Sequence, residues 1–123
     1  MTAAAFRKLA LGFPGVVEQA HMGHPDFRVG GKIFATLGYP RPGWAMVSVT
    51  PYDQDALVKT YPKAFIPVKG KWGEQGATNI VLRHATTTTV TVALSAAYSA
   101  RLAKSRRTRP GTPLRSTRQE RRT

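Results

Sequence analysis

The chain has 123 residues with 19 Lys or Arg, 6 Asp or Glu and no cysteine, for a formal charge of +13. That length suits one domain with its own core, and the missing thiols exclude disulfides, thiolate catalysis and zinc–thiolate sites. Charge falls in two parts: residues 104–123 hold eight Lys or Arg against one acid, +7, and residues 1–103 carry the remaining +6.

The N-terminal Met-Thr-Ala-Ala-Ala-Phe-Arg-Lys-Leu-Ala-Leu places charges inside its apolar stretch. It therefore makes a poor signal peptide and reads as a helix from Thr2 to Leu11. Phe6, Leu9, Ala10 and Phe13 fall at helical spacing, and the Gly12–Gly15 stretch with Pro14 stops the helix. Val16 to Met22 reads as a strand with Val17 and His21 on one face. Gly23-His24-Pro25 is a connection leading to Phe27–Leu37, two strands folded over Gly30-Gly31. A type I′ turn needs positive φ at both central residues, which glycine supplies. Pairing Val29 with Lys32 then sets Arg28 opposite Ile33 and Phe27 opposite Phe34.

Pro40-Arg41-Pro42-Gly43 is a turn into a strand, Trp44–Val49. Thr50-Pro51-Tyr52-Asp53 is a helix start: a capping hydroxyl, a proline with preset φ, and an acid at the capping-box position. Tyr61-Pro62 closes that helix. Lys69–Gly76, with three glycines, reads as a flexible loop, and Ala77–Arg83 as a strand with Ile80 and Leu82 on one face. Thr86–Val92 is β-branched and favours a strand locally. Leu94, Ala97, Tyr98, Arg101 and Leu102 instead follow a helical stripe. The last segment, residues 104–123, contains Pro110, Gly111 and Pro113 with Leu114 as its sole large apolar residue, so it is expected to be disordered.

Several motifs exclude chemistry. Gly31-Lys32 is no phosphate loop, because Asp26 stands where the first glycine belongs and Ile33 where Ser or Thr belongs. Glu18, His21, His24 and Asp26 are a dense titratable group. On one strand, however, His21 and His24 point to opposite faces unless Gly23 bends the chain, and a third ligand is missing. No nucleophile sits beside them. The chain is accordingly expected to be non-enzymatic, with no metal and no cofactor. No apolar run reaches the roughly 18 residues of a membrane span, and a cysteine-free composition fits the cytoplasm.

Phe6-Arg7-Lys8-Leu9-Ala10-Leu11, Pro14-Gly15-Val16, Glu18, His21, the Gly-Gly hairpin, Pro62–Val68, Trp72-Gly73, Gly76-Ala77-Thr78 and a helix around Ala93–Leu102 occur in this order. This series resembles the MmcQ/YjbR family over roughly residues 3 to 103. The resemblance implies a single α+β domain, residues 1–103, in two layers. An antiparallel β-sheet is backed by helices in the order α-β-β-β-α-β-β-α, a fold described as a double wing and associated with DNA binding.

The residues offer two functional readings. Arg28 and Lys32 on the hairpin, Lys69, Lys71 and Trp72 on the glycine-rich loop, Arg83, and Arg106, Arg107 and Arg109 of the tail can contact phosphates. That reading makes the chain a DNA-binding protein, for duplex DNA, with weak sequence specificity. Trp72 either stacks on a ligand or anchors the core. The alternative is a small-molecule or accessory protein with a pocket for an anionic ligand near His21, Arg28, Tyr39 and Trp72.

Overall fold

The computed structural model describes residues 1–108, with side chains through Lys104. Its elements are α1 (Ala3–Leu11), β1 (Val17–His21), β2 (His24–Val29), β3 (Lys32–Leu37), β4 (Trp44–Ser48), α2 (Pro51–Thr60), β5 (Phe65–Pro67), α3 (Lys71–Glu74), β6 (Ala77–Val81) and α4 (Thr87–Thr108), with a 3-10 turn at Leu82–His84 before α4. Four strands precede α2, as the chain-order reading has them and one more than the order implied by the resemblance. Met22-Gly23 is a two-residue turn, with φ of 51° and 82°, that pairs His21 with His24 and so joins β1 to β2. All six strands form one open antiparallel sheet in the order β1-β2-β3-β4-β6-β5.

Met22 holds its left-handed φ while 92% exposed, so its side chain contributes little packing in return. A β-carbon at such a φ costs roughly 1 kcal/mol, which asparagine largely relieves. Met22→Asn is expected to stabilise the domain by about 0.5–1 kcal/mol, raising the thermal midpoint by about 3–6 °C in a calorimetric scan. An unchanged or lower midpoint would show that the turn carries no such strain.

At the second hairpin Gly30 and Gly31 have φ of 59° and 78°, as a type I′ turn requires. Val29 pairs with Lys32 and Arg28 with Ile33, but Phe27 pairs with Ala35 rather than Phe34, because a bulge intervenes. The bulge leaves Phe34 as the extra residue and keeps both Phe34 and Ala35 fully buried. Phe34 meets Phe13 and Tyr98 at ring separations of 6.4 and 5.8 Å, and Phe13 stacks on Tyr98 at 5.1 Å. An aromatic cluster shared with α4 thus sets the register.

The core lies between one sheet face and the helices α1 and α4. Phe27, Ala35, Ala45, Val47, Phe65 and Ile80 meet Phe6 and Ala10 of α1 and Val90, Ala93, Leu94 and Ala97 of α4. The β-branched run becomes the first turn of α4 because its threonines cap it. Thr86 Oγ1 accepts from the Thr89 amide at 3.2 Å, and Thr89 Oγ1 accepts from the Thr86 amide at 3.0 Å. This is a capping box built from two hydroxyls, and it adds to the burial of Val90 to outweigh strand propensity. α4 continues to Thr108, past the boundary at residue 103. Residues 109–123, where most of the cationic tail was placed, lie outside the described residues.

Candidate nucleic-acid interface

The sheet's second face carries a cross-strand row of Gln19, Asp26, Thr36, Met46, Asn79 and Ile66. Three structural facts turn this face into a groove. First, β3 pairs with β4 only from Ala35 onward, so the strands part near the hairpin tip as β4 leaves for α2. Second, the C-terminal part of α4 fills the gap: Arg101 Nε donates to the Ile33 carbonyl at 2.8 Å. Third, the Lys69–Gly76 segment, expected to be a flexible loop, holds a short helix, α3, at Lys71–Glu74. Gln54 Nε2 fastens it by donating to the Gly73 and Ala77 carbonyls, each at 2.9 Å.

The resulting cavity measures about 420 Å³ and is lined by His21, Thr36, Met46, Thr50, Trp72, Gln75, Arg101 and Lys104 among others. Among the described residues no aspartate or glutamate lines it, although Asp53 and Glu74 are close in sequence to residues that do. Trp72 is 65% exposed, so it is free to stack on a ligand and is not the core anchor. Arg101 is half-buried, and loss of water around its guanidinium lowers its pKa, though arginine stays charged at any ordinary pH. A second cavity of about 450 Å³ lies between α1 and α4 and is largely apolar apart from Lys8, Thr87 and Thr91.

The sequence-derived residues divide by place. Lys32, at the hairpin tip, and exposed Lys69 and Lys71 lie at one end of the sheet, the end that α4's last turns also reach. Arg83 follows Val81, which pairs with Trp44, and so stands at the opposite end. Arg106 and Arg107 belong to the last turns of α4, and Arg109 is outside the described residues.

Arg28 is committed elsewhere. Asp26 is fully buried, and Arg28 donates to it through Nε at 2.8 Å and Nη2 at 3.1 Å. His21 Nδ1 lies 2.7 Å from Asp26 Oδ2, the oxygen that Arg28 Nη2 also reaches. The Arg28 hydrogen bonds hold the Asp26 carboxyl below its usual range, against the opposing pull of burial and with help from His21. An ionised carboxylate only accepts, so the imidazole donates through Nδ1. Of the proposed pocket residues, His21 and Trp72 line the groove, while Arg28 braces its end and Tyr39 packs on His24 at a ring separation of 5.4 Å. Gly23 does bend the chain so that His21 and His24 become neighbours, yet no group of three metal-ligating side chains forms among the described residues.

Arg101 and Lys104 were missed as groove residues. The available signal was an arginine inside an otherwise apolar helical stripe, a position where a cation needs a specific acceptor.

The sequence pattern of the YjbR family matches residues 11–100, most of the chain. The chain belongs to the YjbR family. Its fold is similar to that of protein DR2400 of Deinococcus radiodurans, whose crystal structure contains a DUF419 domain. That similarity has a TM-score of 0.65 at 15% identity, over 85% of this chain and 87% of the other. At that identity the likeness speaks for the YjbR fold alone. No curated protein matches the sequence. No helix among the described residues is long and apolar enough to cross a membrane.

Proposed function

We propose that this YjbR-family protein is a non-enzymatic nucleic-acid-binding protein of the cytoplasm that grips the phosphate backbone with little sequence preference. The observation that carries the reading is the groove wall, free of acids among the described residues, where exposed Trp72 shares one cavity with Arg101 and Lys104. Exposed Lys69 and Lys71 flank it on the α3 side, and the body's net charge of +6 adds a favourable long-range field. Cations gathered at one end of a sheet recognise phosphates through charge, which gives affinity that falls steeply with salt.

Fluorescence anisotropy with random-sequence DNA across a salt series tests this. Lys69→Ala with Lys71→Ala is expected to weaken binding and flatten the salt slope by about 1.8, two phosphate contacts' worth. Comparing residues 1–123 with 1–108 separates body from tail. Binding that vanishes with residues 109–123, or a slope the two alanines leave unmoved, would remove the domain as the DNA reader.

A second reading rests on the groove's concavity. At about 420 Å³ it matches small-ligand sites, which span roughly 300–1,000 Å³. It then takes a small anion between His21, Trp72 and Arg101, with Arg28 acting through Asp26 and His21 instead of touching the ligand.

A further inference from the structure

We propose that the groove between α3 and the C-terminal part of α4 accepts one unstacked nucleotide, its base against Trp72 and its phosphate toward Arg101 and Lys104. This rests on the nucleic-acid reading above and narrows it from duplex backbone to single-stranded substrate. Size is the first argument. A cavity of about 420 Å³ closed by Trp72 on one side and α4 on the other admits one base and its phosphate. A stacked, paired duplex does not enter it.

Side-chain chemistry is the second argument. An exposed indole offers a flat face on which any base can stack, and such stacking is tolerant of sequence. Arg101 and Lys104 supply positive charge on the α4 side, with no carboxylate of the described residues lining the space. Gln75, Ser48 and Thr50 bring amide and hydroxyl groups to the rim. Thr36, fully buried, lines the cavity with an Oγ1 that has no hydrogen-bond partner among the described residues. Such an orphan is uncommon in a folded domain and costs free energy until something satisfies it. A groove that only excluded water would be lined more economically by apolar side chains.

Rigidity is the third argument. Trp72 sits on α3, which Gln54 fastens from α2, and Arg101 is fixed to the Ile33 carbonyl. Both walls are therefore held before any ligand arrives, which lowers the ordering cost of binding. Neither wall belongs to the hairpin that a wing would use.

The test is tryptophan fluorescence and anisotropy on the full chain with four probes: a ten-residue oligothymidylate, the corresponding duplex, thymidine monophosphate and inorganic phosphate. The single strand is expected to bind more tightly than the duplex at equal length. Trp72→Ala is expected to weaken it about tenfold, with Trp72→Phe restoring most of the loss, and Lys104→Gln is expected to weaken it severalfold. Because Trp72 is exposed, these variants keep the wild-type melting temperature, which a scan verifies. Thymidine monophosphate quenching Trp72 fluorescence would assign the groove to free nucleotides as well as strands. Response to the oligonucleotide alone would assign it to strands, and either result supports one-nucleotide occupancy.

Full-strength single-strand binding by Trp72→Ala and Lys104→Gln, with loss in Lys69→Ala/Lys71→Ala, would overturn the groove proposal while leaving nucleic-acid binding intact. A response to inorganic phosphate equal to that of the nucleotide would overturn base stacking. Failure of every nucleic-acid probe would sink both readings together.

Discussion

Gly73→Ala and Gly76→Ala are each expected to destabilise the domain by about 3–5 kcal/mol, a large share of the 5–15 kcal/mol typical of such domains. A β-carbon on Gly73 would overlap the Val68 carbonyl oxygen, and one on Gly76 would overlap the Val49 carbonyl oxygen. Both obstacles are backbone, so no rotamer change relieves them. Gly76 also has φ of 111°, which L side chains rarely adopt. These close approaches are how the chain brings α3 against the end of β4 and β6, with Val68 and Val49 amides bonded to Ala77 and Gly76 carbonyls. Gly70 is the internal control. Nothing stands within reach of an added β-carbon, but its φ of 85° with ψ of −160° is backbone that is essentially glycine's alone, so Gly70→Ala is expected to cost about 1–3 kcal/mol from backbone strain without any overlap. Urea unfolding measures all three. Equal, small losses at Gly73 and Gly70 would mean that α3 shifts freely and does not hold Trp72 in place.

Asp26→Ala is the other large effect, about 2–3 kcal/mol. Breaking a fully buried pair by removing one partner costs about 3–5 kcal/mol. The lower figure applies because the Arg28 and His21 side chains remain 27% and 39% exposed, where water screens the stranded charge. The same carboxylate makes stability depend on pH. Its folded pKa lies below the ordinary 3.8, so between the two values the unfolded state binds more protons and stability rises with pH. Its contribution is complete above roughly pH 5 and disappears as pH falls through the folded value. Urea midpoints measured from pH 7 to pH 2 should therefore fall at the acid end, and Asp26→Asn should flatten that fall. An acid limb identical in wild type and Asp26→Asn would assign the dependence to other carboxylates.

The groove's parts were unequally legible. Trp72, Lys69 and Lys71 stood out as an aromatic ring and two cations among glycines, although the sequence left open whether Trp72 faced a ligand or the core. Arg101 did not, since its role depends on where a helix ends relative to a strand fifty or more positions away. Arg28 was legible as a cation near a turn, but its commitment to Asp26 was not. A strand places residues i and i+2 on one face, which permits that pair without requiring it.

Local rules determined what could be read in one dimension. Two glycines specified the hairpin turn, Thr50-Pro51 specified the start of α2 with its hydroxyl accepting from the Asp53 amide at 3.1 Å, and the apolar stripe specified α4 from Leu94 onward. Each depends on φ, a cap or a period within a few residues. Tertiary structure decided the rest. The bulge at Phe34 follows from an aromatic cluster drawing on α4 and the segment after α1. The threonine run became helix because a capping box and burial at Val90 outweighed propensities of a few tenths of a kcal/mol per residue. The groove exists only where β3, β4, α3 and α4 meet. Energies of strand pairing and burial reside in contacts between distant segments, and no window of sequence contains both partners.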